Sequence, residues 1–283
     1  MFDCCIVNHE LDLLELRMNT LNDVVEKFVV VESNLTHSGK PKKMWFRDNI
    51  YRFNQFKDRI IHLVYEGYPV EDDQKDTHIV WYNENTQRNT ILECLKIAQP
   101  SDGLLFISDC DEIVKPEKLL EGRELYFQTN YLVNFGLEQC MYYMNYNFKD
   151  FKQIRGSMLY NPQRAKEIYD SLGKTDHSPN AIRWHMVADG TESHWPVVWD
   201  AGWHFSTLGD PRTIRYKLES NAHRFCDTEE YKNIDRINQC INDGMHVYDM
   251  DRYTDTKLVK REFEFLPKYV QENPHKFKNY IMY

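Results

Sequence analysis

At 283 residues the chain can bury a substantial core, and 42% hydrophobic with 28% charged residues excludes long disordered stretches. The formal net charge of −9 argues against a nucleic-acid partner, because the Lys40-Pro41-Lys42-Lys43 cluster is too short to act as a basic stripe. The length fits one large α/β domain about as well as two small ones, and a single domain is the expectation.

The chain opens on Phe2 to Val7, an apolar run that predicts a first strand, after which the period changes. Leu11, Leu14, Met18 and Leu21 recur at three- and four-residue steps and predict an amphipathic helix opening near Asn8-His9-Glu10. Phe28 to Val31 predicts a second strand, ending in Glu32-Ser33-Asn34, and Ile60 to Val64 a third. A helix is expected over Trp81 to Ala98, stopped by Pro100 and Asp102-Gly103. Strand, helix, strand, linker, strand at this spacing describes a Rossmann-like half.

After Pro116 the pattern is mixed. Tyr131 to Phe148 reads as one long strand or a hairpin, Arg155-Gly156-Ser157 as a turn, and Tyr160 to Asn180 as a loose helix followed by a loop. Ala181 to Phe205 carries Trp184, Trp195, Trp199 and Trp203 beside His185, His194 and His204. Core packing accounts for most of these tryptophans, with a sugar-stacking platform as the alternative for one or two. Asp210 and Pro211 predict the start of a helix bearing Ile214, Leu218 and Ala222. A second helix is expected from Thr228 to a stop at Gly244, and a short one in the tail.

Seven cysteines in no CxxC pair suggest neither a zinc site nor a closed disulfide framework, and point to a reducing compartment. With no basic segment leading into a long apolar run, no signal peptide or membrane span is expected, and the expected location is cytoplasmic.

The chemistry is expected at Leu104 to Ile113. A nearly apolar strand ends there in Asp109-Cys110-Asp111, and ligands of open α/β sheets bind outside the carboxyl ends of the strands. Two carboxylates this close repel unless a cation lies between them, and hard oxygen ligands suit manganese or magnesium with positions left for phosphate. His204 in Gly202-Trp203-His204-Phe205 is the candidate third ligand; a satisfied core histidine is the alternative. Arg88, one turn from Glu84, is either half of a surface ion pair or a diphosphate ligand facing the cleft.

Three activities compete for this pattern. A nucleotide-sugar-dependent glycosyltransferase needs a metal to neutralise the leaving diphosphate. A haloacid dehalogenase-like phosphatase or phosphotransferase would use Asp109 as nucleophile, but the motif falls late in the chain and lacks the later acidic pair. A non-catalytic carbohydrate-binding protein is suggested only by the aromatic content of 14%.

Several motifs together resemble glycosyltransferase family 17. They are Met1-Phe2-Asp3-Cys4 with Asn8-x-Glu10-Leu11-Asp12-Leu13-Leu14-Glu15-Leu16-Arg17, Val30-Val31-Glu32-Ser33 with Thr36-His37-Ser38-Gly39-Lys40, and Glu84-x-x-x-Arg88-Asn89. Ile107-Ser108-Asp109-x-Asp111-Glu112-Ile113, Ala201-Gly202-Trp203-His204-Phe205-Ser206 and Leu266-Pro267-Lys268-Tyr269-Val270 before Glu272-Asn273 complete the set. The resemblance implies a GT-A type α/β fold with a mixed, mostly parallel sheet flanked by helices. Residues 1–113 would form the nucleotide-sugar-binding half and 114–283 the acceptor-side half.

It further implies a UDP-sugar donor, N-acetylglucosamine as the first choice of sugar, a glycan acceptor and an inverting reaction. Manganese or magnesium would sit on Asp109, Asp111 and His204. Glu32 and Ser33 would lie near the uridine, with Arg88, Asp109 and Trp203 on the donor. A carboxylate must take the acceptor's proton, and Asp200 and Glu192 are the candidates ahead of Glu112 and Glu10.

Overall fold

The computed structural model describes residues 1–69, 77–148, 154–188, 195–248 and 257–283. The first apolar run forms β1 (Phe2–Val7), buried throughout, and the leucine stripe forms α1 (Leu11–Leu21). β2 (Lys27–Ser33) leads through the short α2 (Trp45–Asp48) and 3-10 turns over Ile50–Arg59 to β3 (Ile60–Tyr65). The next helix, α3 (Thr77–Asn89), opens earlier than its apolar stripe and tightens into 3-10 turns over Thr90–Lys96.

The acidic strand is β4 (Leu105–Asp109), and β5 (Glu112–Val114) leaves it after a two-residue turn. α4 (Pro116–Thr129), hidden in the mixed stretch, starts on a proline at its first turn and ends on Asn130 in the left-handed region. β6 (Val133–Tyr142) and β7 (Tyr146–Phe148) are the hairpin form of the expected pair. β8 (Ile154–Tyr160) continues through the glycine that the sequence reads as a turn, with a slip of register against β6 at that point.

α5 (Pro162–Ser171) is capped by Asn161, and α6 (Pro179–Ala188) occupies the start of the tryptophan-rich stretch. β9 (Val197–Leu208) then leads to α7 (Pro211–Ser220), where the Asp210 carboxylate accepts from the backbone N–H groups of Arg212 and Thr213. α8 (Ile234–Asp243) starts later than Thr228, on an Asn233 cap, and ends at Gly244 with φ 67°. β10 (Leu258–Lys260) and α9 (Lys268–Glu272) close the chain.

One sheet carries strands from both halves, in the order β10-β7-β6-β8-β4-β1-β2-β3. β3, β2, β1 and β4 run parallel, β8 reverses against β4, and β9 lies parallel to β6 while pairing antiparallel with β5. By paired residues this α/β sheet is mixed and mostly parallel, with helices packed against it. The main core joins β1, β2, β4 and β6 to α1 and to Phe277 and Ile281 of the tail, while a smaller cluster packs α7 and α8 against β7. Among the described residues no helix is long and apolar enough to cross a membrane.

Candidate active site

A cavity of about 330 Å³ opens at the carboxyl ends of β1 and β4. Val7 and Asn8 line it from β1 and its loop, Asp109 and Asp111 from β4 and its turn. Each of three helices adds a cation, Arg88 from α3, Arg183 from α6 and Lys217 from α7, and β9 contributes His204. Parallel strands deliver the acids to this edge, and the short β5 brings His204 to them: Glu112 stands opposite His204 in register, and Phe205 N–H donates to the Asp111 carbonyl at 2.8 Å.

The two aspartates have different surroundings. Asp109 is clasped on both oxygens, by Arg88 Nη2 on Oδ1 and Arg183 Nη2 on Oδ2, each at 2.7 Å. Burial opposes its charge, yet Arg183 and Arg88 hold the carboxyl far below the ordinary range. Asp111 instead takes Lys217 Nζ on Oδ2 at 2.8 Å and faces His204 Nε2 with Oδ1 at 3.6 Å. His204 Nδ1 is buried with no hydrogen-bond partner among the described residues.

Glu112 is part of the frame. Its carboxylate accepts from the Asp109 backbone N–H at 3.0 Å, Ser157 Oγ at 3.0 Å and Arg183 Nη1 at 3.2 Å. Burial pushes its pKa up, but Arg183 and His204 together bring the net direction down. Gly156 makes room for this contact: a Cβ there would lie 2.7 Å from Glu112 Oε1 and 2.9 Å from Arg183 Nη1. That steric need explains a glycine inside β8 where no turn exists.

The turn itself is pinned by Arg17. Fully buried on α1, its Nη1 donates to the carbonyls of Asp109 at 3.0 Å and Glu112 at 2.7 Å, while Asp3 of β1 holds Nε at 2.8 Å and Nη2 at 2.5 Å. Burial disfavours the guanidinium charge, but Asp3 more than restores it. Arg17, Arg183 and Lys217 are the site residues that sequence reasoning missed. Arg17 and Lys217 leave a trace in it, each being a cation within an apolar helical stripe, beside Leu14 and Met18 in one case and Ile214 and Leu218 in the other.

Other expected site residues lie elsewhere. Glu32 is buried as the cap of α2, accepting from Phe46 N–H at 2.7 Å and Arg47 N–H at 3.1 Å. Ser33 is buried with its Oγ accepting from Leu35 N–H at 3.1 Å; Leu35, Thr36 and His37 reach the cavity in their place. Trp203 points into the core, where its Nε1 donates to the Phe265 carbonyl at 3.0 Å, because strand alternation sends it away from the side of His204.

Asp200 is exposed in the bulge where β9 slips register against β6, with φ 53°, and it is not on the cavity wall. Glu192 and His194 fall outside the described residues. Arg88 does face the cavity, but Glu84, Asp109 and Asn180 occupy its Nη atoms. Trp184 and Trp81, edge to face at 5.4 Å, are the tryptophans on the cavity wall.

Among the described residues no three His, Cys, Asp or Glu side chains form a ready metal cage. Asp111 and His204 nevertheless fit a half-site, one oxygen and one nitrogen donor facing each other on the wall and the ring's other nitrogen free of any competing bond. Divalent ions of this hard class complete their shells with phosphate oxygens and water.

Paired acids and helix-borne cations at the carboxyl edge of a mixed sheet define an α/β protein with a charged cleft where ligands of such sheets bind. The chain belongs to glycosyltransferase family 17, whose family model matches residues 1–282. It is similar to the Beta-1,4-mannosyl-glycoprotein 4-beta-N-acetylglucosaminyltransferases of Rattus norvegicus and Homo sapiens, 24% identical to each over 96% of its own length and 52% and 53% of theirs. It therefore spans about half the length of these relatives. Among solved structures, 4-diphosphocytidyl-2C-methyl-D-erythritolsynthase from Anaerococcus prevotii aligns at TM-score 0.36 and 12% identity, over 80% of this chain and 98% of that one.

Proposed function

We propose that this chain transfers a sugar, N-acetylglucosamine in the first instance, from a UDP-sugar to a glycan acceptor, with inversion and with manganese or magnesium. The observation that carries this reading is the convergence of Asp111 and His204 at 3.6 Å beside three cations in one cavity, in a member of a glycosyltransferase family. A divalent ion held by Asp111 and His204 would supply Lewis-acid neutralisation of the diphosphate leaving group. Arg88 and Arg183 fix Asp109, and through it the turn that carries Asp111.

Of the carboxylates on the wall, Asp109 and Asp111 are engaged, and Glu10 is a weak base at neutral pH. Burial raises its pKa, but His9, Lys217 and backbone N–H groups bring it down to about 2. Glu84 is held by Arg88 at 3.2 Å through Oε1 alone, and its Oε2, 3.7 Å from His37 Nδ1, is the carboxylate oxygen on the wall placed to act as the base for the acceptor hydroxyl. The phosphatase alternative is disfavoured because both oxygens of Asp109 are bound by guanidinium groups, which draw off the charge a nucleophilic carboxylate needs.

Turnover of UDP-sugars with manganese tests the proposal. Asp111→Asn is expected to lower the rate by about 100-fold or more, the scale of losing a main electrostatic contact to the leaving group. His204→Ala should weaken manganese binding while leaving the melting temperature close to wild type. Full activity in Asp111→Asn, or a phosphorylated aspartate in the wild type, rejects it.

A further inference from the structure

Lys217 sits where a cation is needed and where a second cation cannot be tolerated. It reaches from α7, whose start is fixed by the Asp210 cap, to put Nζ 2.8 Å from Asp111 Oδ2. The Asp111 side chain is 10% exposed and that of Lys217 22%, so water does little to screen either. The other groups facing the ammonium are Glu10 and Tyr248, and its charge is also felt by His9. Asp111 Oδ1, on the other lone-pair side of the same carboxylate, is the atom turned to His204.

We infer that Lys217 is the resident counter-ion of Asp111, exchanged for the divalent cation when the nucleotide donor binds. A doubly charged ion on Oδ1 and an ammonium on Oδ2 would share one carboxylate at repulsive range in a poorly screened site. The metal alone must displace the lysine from its hydrogen-bonded partner and leave it only Glu10 as an acidic neighbour. The metal together with a diphosphate displaces it onto a new partner, because the four-carbon stem lets the ammonium swing within the cavity it already lines. Metal and donor are thereby coupled through one side chain, while the charges of the site are otherwise paired: Arg88 with Glu84 and Asp109, Arg183 with Asp109 and Glu112, Lys217 with Asp111. This rests on the reading of Asp111 and His204 as metal ligands.

The test is manganese binding to the full chain, followed by electron paramagnetic resonance, with and without UDP. Coupling of this kind runs from about 5-fold to 150-fold, so wild type should bind manganese at least about tenfold more tightly when UDP is present. Lys217→Met, which keeps the stem and removes the charge, should bind manganese alone about tenfold more tightly than wild type, and UDP should then add little. Lys217→Gln serves as a second neutral variant should the Met form fail to fold, and Lys217→Arg, which keeps the charge, should stay near wild type without UDP. A folded neutral variant with unchanged or weaker manganese affinity overturns the exchange while leaving the metal site intact. Absence of manganese binding to wild type, with or without UDP, overturns the metal site and the exchange together.

Discussion

Arg17 illustrates how one side chain can decide the geometry of a site it does not enter. Its guanidinium is fully buried, paired with Asp3, and spends its remaining N–H on two carbonyls of the Asp109 to Glu112 turn. Removing one member of such a pair strands the other as a buried charge. Arg17→Met is therefore expected to reduce the unfolding free energy by about 3–5 kcal/mol in urea titration. Asp3→Asn in the same background should restore part of that loss, because the stranded carboxylate is gone, and a double-mutant cycle measures the coupling. Simple additivity of the two changes would refute the pairing argument. Cations of this kind can be read from sequence once charge is considered inside the apolar stripe as well as on its polar face. Their partners cannot: Asp3 and Asp109 lie on different strands from α1, and only tertiary folding brings them together. Trp203 was open to two readings for a related reason, since the period-two alternation of β9 separates it from His204 but does not say which face is the core.

Elements built from parallel strands were legible, while those that depend on long-range antiparallel pairing were not. The β1, α1, β2, β3 and β4 pattern stands out because each element carries its own period, and the acid-bearing strand end follows from it. β5 is a short strand whose existence rests on β9, far along the chain, and it is what carries His204 to Asp111. Two glycines make that assembly possible. At Gly202 an added Cβ would collide with the Ile113 carbonyl of β5, and at Gly156 it would press on Glu112 and Arg183. Gly202→Ala should split β5 from β9 and lower the melting temperature sharply. Gly156→Ala should cost about 1–3 kcal/mol, the usual range for overpacking, and also reduce turnover by displacing Arg183 from Asp109. Calorimetry and rate measurements on the two variants check this, and wild-type values for either would contradict the close approaches. α4 and α6 escaped sequence reading because their apolar residues are interrupted by charges and aromatics that pack on the sheet, so neither presents a clean stripe.

At the scale of the whole molecule, a chain of net charge −9 sets Arg88, Arg183 and Lys217 against carboxylates on the wall of one cavity, and this makes its stability depend on pH in a definite direction. Asp109, Glu112 and Glu10 all titrate below their ordinary values in the folded state: burial opposes this at each, and it is overcome by Arg183 together with Arg88 at Asp109, by Arg183 together with His204 at Glu112, and by His9, Lys217 and backbone N–H groups at Glu10. A carboxyl depressed by folding stabilises the native state above its unfolded pKa and loses that contribution as pH falls toward its folded value. The wild-type protein should therefore keep its full stability above about pH 5 and lose it progressively below, each such group adding up to about 1.4 kcal/mol per pH unit to the slope. Arg183→Gln removes the main cause of the depression at Asp109 and Glu112 together. Its unfolding free energy should fall well below wild type at pH 7, and the gap should narrow as pH is lowered toward 3, because protonation discharges the carboxylates that Arg183 had held. Denaturant melts of both proteins across pH 7 to 3 give the comparison: curves that stay parallel would mean that Arg183 supports the fold through packing, while curves that converge in acid identify its charge as the link between the cavity and the stability of the whole chain.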